Sequence, residues 1–262
     1  MKILSALILA LAACAAHAGP VVGGAPSFTA VRTQLELTGC AACAVSTVVG
    51  SSFGELGSPS GAYGKARAAL GVNGAYASVD PSRIDLEAYA ESIWADGFVI
   101  LGGTGSSTVH VSVRVDGSLD GAGQPGGPGS NAFYGLFISD APMFCDFDAL
   151  SCGAGTMAIP LTEPLSGTQY LSADIAFTYG QPFYVASYLG AEVVGGMAGV
   201  ADFFHSAHFG ISAPTGATLA AESGTLYPDV VSIPEPATAW LLLLGVLCVP
   251  LLRSRRPADI LG

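Results

Sequence analysis

Positive charge is scarce in this chain. Nine Lys and Arg stand against twenty Asp and Glu in 262 residues, a formal net charge of −11. That balance argues against nucleic acid and anionic lipid surfaces as partners of the body, since both need a basic patch. Charged residues of either sign amount to only 11%, so this is not a solvated acidic tail. Apolar residues make up 51%, ample for a core.

Catalytic signatures are scarce too. Gly57-Ser58-Pro59-Ser60-Gly61 has Pro where the nucleophile of a G-x-S-x-G elbow should stand. Gly102-Gly103-Thr104-Gly105 runs into Ser106-Ser107 without a P-loop lysine. A carboxylate pair for glycoside hydrolysis is a property of the fold, and nothing in the sequence singles one out. Helix signals are few. Residues 64–70 offer one short candidate turn, rich in Gly for a helix.

What the chain does have is period-two alternation. Val31, Leu35 and Leu37 alternate with Arg32, Gln34 and Glu36; Ile84, Leu86 and Ala88 with Arg83, Asp85 and Glu87. Val109, Val111, Val113 and Val115 alternate with His110, Ser112 and Arg114, after which Asp116-Gly117 is expected to turn the chain. Further strand-like runs lie near 44–49, 97–101, 132–139, 156–161, 171–179, 183–189, 198–211 and 217–227. Short strands separated by Gly, Pro, Ser and Asp predict a mainly β body, an antiparallel sandwich or jelly roll. The Gly- and Pro-rich stretch 120–129 is expected to connect strands of one sandwich.

Six cysteines occur, at 14, 40, 43, 145, 152 and 248. Cys40, Cys43, Cys145 and Cys152 are candidates for two disulfides, most simply Cys40–Cys43 and Cys145–Cys152, though four cysteines allow three connectivities. Cys40-Ala41-Ala42-Cys43 has thiol-oxidoreductase spacing, but those enzymes place the first Cys at a helix N-terminus, and here the flanks read as strands. A four-cysteine zinc site lacks its second CxxC. His205 and His208 would diverge on a strand, so no metal site is expected. Asp146 and Asp148 are weak calcium candidates near Asp140, without the Gly and Glu of an EF-hand loop. No cofactor is called for.

The ends carry their own information. Lys2, the apolar run 3–13 and Ala16-His17-Ala18 form a signal peptide with an A-x-A site, cleavage expected after Ala18. Leu11-Ala12-Ala13-Cys14 also resembles a lipobox, which would make a lipidated Cys14 the first residue; the apolar core before it is short. At the other end come Pro234-Glu235-Pro236, an unbroken apolar run 237–252, then Arg253, Arg255 and Arg256. A helix over that run would be about 24 Å long, a little under a ~30 Å hydrocarbon core, a gap closed by local thinning and arginine snorkelling. The arginines would stay on the cytoplasmic side with the body outside. The two prolines stop the helix extending upstream.

These two dozen residues resemble the PEP-CTERM sorting tail of exported bacterial proteins, which exosortase, a membrane protease-transpeptidase, processes. The resemblance implies that Pro234, Glu235 and Pro236 are the recognition motif and exosortase the partner. It also implies a non-enzymatic body bound for the cell envelope or extracellular matrix of bacteria that make exopolysaccharide and biofilm. The segments Phe177-Thr178-Tyr179-Gly180-Gln181-Pro182-Phe183, Gly199-Val200-Ala201-Asp202-Phe203 and Ser223-Gly224-Thr225-Leu226-Tyr227 resemble the sandwich domains found ahead of such tails. The organisation expected is a signal peptide over 1–18, an exported body over 19–230 and a sorting tail over 231–258. Two alternatives stand beside it. One is a carbohydrate-binding module using Tyr134, Tyr184 and Tyr188, of which the last two share strand parity. The other is a hydrolase, which requires acidic residues converging in a cleft.

Overall fold

The computed structural model describes residues 21–39, 44–57, 61–121, 128–153, 155–162, 165–228 and 230. The chain divides into two compact units, Met1–Asp229 and Val230–Gly262, and the description below concerns the first.

Among the described residues there are sixteen strands. The first six are β1 (Val21–Gly23), β2 (Phe28–Leu37), β3 (Ala44–Gly50), β4 (Phe53–Gly57), β5 (Ala62–Ala69) and β6 (Val72–Val79). A 3-10 turn at Pro81–Arg83 leads into two long strands, β7 (Leu86–Leu101) and β8 (Ser106–Asp120). Then come β9 (Gly129–Ser139), β10 (Phe144–Asp146), β11 (Ser151–Cys152) and β12 (Thr156–Thr162). The last four are β13 (Gly167–Thr178), β14 (Pro182–Val194), β15 (Gly199–Ser212) and β16 (Thr218–Ala221).

They form a sandwich-like pair of antiparallel sheets with a small third sheet. The seven-stranded sheet runs β12-β9-β14-β7-β2-β3, with β16 pairing β7 beyond the end of β2. The six-stranded sheet runs β13-β8-β15-β6-β5-β4, and the small one β1-β10-β11. The main core lies between the two large sheets, where Trp94, Phe98, Val111, Val113, Val185, Leu189, Phe203 and Phe209 are buried together. Asn73 ties the sheets through polar contacts inside that core. It donates to the Ser92 carbonyl at 2.9 Å and accepts from the Ser187 hydroxyl at 2.5 Å.

A second cluster lies on the opposite face of the seven-stranded sheet: Ile93, Ala95, Phe133, Phe137, Met143, Phe147, Tyr184, Ala186 and Tyr188, with Cys145 and Cys152. The small sheet belongs to this layer, and Cys145 and Cys152 are disulfide-bonded across its β10–β11 pair. With cover on both faces, β7 and β14 are buried along most of their length, and β14 reads as a mostly apolar run.

The structure corrects three expectations. Residues 64–70 hold no helical turn: 62–69 is β5, with Ala62, Ala66 and Ala68 facing the core. Asp116-Gly117 does not turn the chain, because β8 continues to Asp120. Gly117 is there for closeness, since a Cβ would lie 2.2 Å from the Phe203 ring. Asp85 does not begin a strand either; Asp80 accepts from the Ser82 N–H at 2.9 Å and starts the 3-10 turn that delays β7 to Leu86.

Candidate functional site

Strand parity assembles a polar field on the outer face of the seven-stranded sheet. Residues 32, 34 and 36 of β2, and 87, 89 and 91 of β7, point away from the main core because their neighbours point into it. The register sets them in rows. Asn131, Glu192, Tyr89, Gln34 and Thr47 stand side by side across five strands, and the next row holds Phe133, Gly190, Glu91 and Arg32. Glu36 stands opposite Glu87.

The segment after β10 supplies one wall. Phe147 is buried on the second cluster, Asp148 reaches Arg32, and Leu150 takes a left-handed backbone with φ of 47°. That conformation is unfavourable for a residue with a branched apolar side chain, so the turn is held by its surroundings. The result is a cleft of about 420 Å³ lined by Arg32, Gln34, Glu36, Tyr89, Glu91, Phe133, Phe147, Asp148, Leu150 and Glu192.

Arg32 is the hub of this cleft. Its Nε pairs with Glu91 and its Nη1 with Asp148, while its guanidinium lies 5.2 Å from the centre of the Phe147 ring. Burial works against its charge, but the Glu91 and Asp148 carboxylates outweigh that and hold its pKa above the ordinary arginine value. Burial raises the Glu91 carboxyl above the usual range, against the pull of Arg32 and the hydrogen bond from the Tyr188 hydroxyl. The Tyr188 hydroxyl is likewise raised by burial and by Glu91 beside it. Nearby, Glu87 accepts from the Tyr89 hydroxyl at 2.9 Å and from the Gly195 N–H at 2.8 Å. Glu36 is buried and its carboxyl raised, by desolvation first, with Gln34 opposing and Glu87 adding.

The arrangement offers acceptors (Glu36, Glu91, Glu192, Asp148 and the Tyr89 hydroxyl oxygen), a donor (Gln34) and apolar walls (Phe133, Phe147) to a hydroxyl-rich ligand. Acidic residues thus converge in a cleft. The sequence held a usable signal for it: in Glu87-Ala88-Tyr89-Ala90-Glu91 the polar positions share one parity.

Tyr184 and Tyr188 do share a face, but Tyr188 is 0% and Tyr184 8% exposed, and Tyr134 is 0% exposed in the main core. They form no binding platform, because the second cluster closes over the first two and the sandwich over the third. Asp146 and Asp148 serve different partners. Asp146 accepts from the Asp148 and Ala149 N–H groups at 2.8 and 3.3 Å, making the turn that sends Asp148 to Arg32. His110 lies beside Asp174 at 2.9 Å, and His205 and His208 are exposed. Among the described residues no group of three or more His, Cys, Asp or Glu could hold a metal ion.

Ala16, Ala18, Cys40, Cys43, Pro234, Glu235, Pro236, Arg253, Arg255 and Arg256 lie outside the described residues. Among those described, no helix is long and apolar enough to cross a membrane. The fold and the cleft define a class: an antiparallel sandwich-like body with a disulfide-stapled small layer and a carboxylate-lined cleft on one sheet. No family model matches the chain, and no curated protein matches it.

Proposed function

We propose that this chain is an exported, non-enzymatic protein of the cell envelope or extracellular matrix, sorted and processed by exosortase through Pro234, Glu235 and Pro236. In this reading the body is a jelly-roll-like sandwich, released by a signal peptidase at one end and held at the inner membrane by the 237–252 helix and its arginines until processing. Its matrix role is linked to exopolysaccharide and biofilm. The observation that carries the reading is the Cys145–Cys152 bridge, since such bonds persist in oxidising compartments outside the cytoplasm. The leader-like N-terminus and the tripartite C-terminus support it.

Intact mass of the protein from its native host, with and without exosortase, tests it. Loss of the segment beyond the Pro234–Pro236 region only when exosortase is present is the expected result. A C-terminus ending at Gly262 in both strains would reduce the tail to a plain anchor and remove the sorting role.

The convergence of Glu36, Glu91, Glu192 and Asp148 on one cleft favours one second reading, a hydrolase acting on glycosidic bonds through a carboxyl pair. Release of reducing ends from a polysaccharide panel, lost in Glu91→Gln or Glu36→Gln, is the outcome it requires. Absence of release by the unmutated protein removes it.

A further inference from the structure

The outer face of the six-stranded sheet presents a different chemistry. Five cations, Arg32, Lys65, Arg67, Arg83 and Arg114, occur among the described residues. Three form ion pairs: Arg32 with Glu91 and Asp148, Arg83 with Asp85, and Arg114 with Asp116. Lys65 and Arg67, two positions apart on β5 and so on one face, are held by aromatic rings instead. The Lys65 ammonium lies 4.3 Å from the Phe204 ring centre and 5.0 Å from that of Tyr76, and the Arg67 guanidinium 5.3 Å from Phe204. Glu55 stands directly opposite Lys65 in the register, yet its carboxylate accepts from the Tyr63 hydroxyl.

A bulge raises this face. Between Phe203 and Ala207 the pairing of β15 with β6 shifts, and the Phe204 carbonyl turns to accept from Arg67 Nε at 2.8 Å. Gly74 makes room, since a Cβ there would lie 2.0 Å from that carbonyl oxygen. Phe53, 52% exposed, meets Phe204 edge to face at 6.4 Å, and Tyr63 meets Tyr76 likewise at 5.8 Å. The two tyrosines also wall a groove of about 460 Å³ whose far end holds Asp80 and Asp120.

We propose that this aromatic–cationic face binds a sparsely anionic polysaccharide, a chain in which carboxylate-bearing sugars are separated by neutral ones. The proposal deepens the matrix reading above and rests on it. A sugar's C–H face packs on Phe53, Phe204 and Tyr76, while Lys65 and Arg67 receive its carboxylate through charge-assisted hydrogen bonds. The neighbouring sugar lies in the groove beside Tyr63, where Asp80 and Asp120 accept from hydroxyls and repel a second carboxylate. A formal charge of −11 on the whole chain disfavours a densely charged polyanion for the same reason. Phe53 is exposed and Phe204, Tyr63 and Tyr76 are half-buried beside it, and rings gathered on one patch beside cations without an ion pair among the described residues suit a binding surface.

Affinity electrophoresis of the full chain, purified in mild detergent, through gels containing hyaluronan tests this. Hyaluronan alternates a glucuronate with a neutral sugar. Retardation is expected there and not in dextran, an uncharged glucan. Lys65→Gln, which keeps the stem, and Phe53→Ala, at an exposed ring, should each weaken it about fivefold with unchanged thermal midpoints. No retardation by hyaluronan, equal retardation by dextran, or retardation unaffected by both substitutions would overturn the proposal. So would capture by anionic lipid vesicles in its absence. Tail trimming by exosortase is read independently, so failure of the glycan assay and failure of the sorting reading are distinguishable.

Discussion

Tyr227 donates its hydroxyl to Asp96 at 2.6 Å, deep in the sandwich and 131 positions from it in sequence. Asp96 lies on β7 and is fully buried, and Ser223 donates to it through both its hydroxyl and its N–H. Gly224, at φ 74°, turns the chain between them, and the Tyr227 ring packs against Trp94, Phe98 and Phe209 at centroid distances of 5.1–5.8 Å. The segment Ser223–Tyr227 is therefore a plug that fixes the last described segment of the body. The spacing of Ser and Tyr in Ser223-Gly224-Thr225-Leu226-Tyr227 has a physical reason: both must reach one carboxylate.

Tyr227→Phe keeps the ring and removes one charge-assisted hydrogen bond, so it should cost about 1.5–3 kcal/mol. A lower urea midpoint at unchanged slope is the expected signature. Limited proteolysis should show new cleavage near 222–228 in the variant. An unchanged midpoint would mean that the plug contributes only ring packing.

Arg32→Met leaves the buried Glu91 carboxylate without its counter-charge and should destabilise by roughly 3–5 kcal/mol. Glu91→Gln in the same background should recover part of that, because no buried carboxylate then lacks its partner, and Asp148 is 42% exposed at its side chain. A double-mutant cycle by chemical denaturation measures the coupling. Strictly additive losses would show that Arg32 acts mainly through its packing on Phe147.

Glu36 gives stability a pH dependence of definite sign. Its folded carboxyl is raised above the ordinary 4.5, so the native state binds this proton more tightly than the unfolded chain does. Stability from this group is greatest below 4.5 and declines as pH rises from there until the folded carboxyl has ionised. Glu36→Gln should flatten that decline in midpoints measured from pH 4 to 8. An identical profile in the variant would assign the slope to Glu91, whose carboxyl is raised in the same direction.

Breaking the Cys145–Cys152 bridge, seven residues apart, should cost roughly 2–3 kcal/mol on loop-closure grounds. Cys145→Ser with Cys152→Ser should also loosen the small layer over Phe147 and Tyr188, read as increased binding of a hydrophobic dye. Near-ultraviolet dichroism of Trp94, in the main core, should stay native. Loss of that signal as well would show that the two layers fold as one unit.

Much of the architecture was legible in sequence where apolar residues alternate with polar ones. β2 and the valine row of β8 read directly. β5 and β6 did not, because the inward residues of β5 are Ala and Gly and those of β6 are Asn73, Ala75, Ala77 and Val79, which carry little hydrophobic signal. Gly64 is small because a Cβ there would lie 2.8 Å from the Tyr89 carbonyl oxygen, a close approach between sheets that no local window contains. The cleft was half legible: parity puts Glu87, Tyr89 and Glu91 on one face, but residues 147–150 had to fold over that face before it became a pocket.

By itself the sequence determined the strand class of this protein, its acid excess and the grouping of side chains by parity, because those depend on neighbours one and two positions away. The tertiary structure decided which parity is buried twice, which carboxylates face cations and which rings remain exposed. Those outcomes depend on partners 59 and 116 positions away for Arg32 and 131 for Tyr227. A buried carboxylate is tolerated only where such distant partners arrive to neutralise it, as at Glu91, or to donate hydrogen bonds to it, as at Asp96.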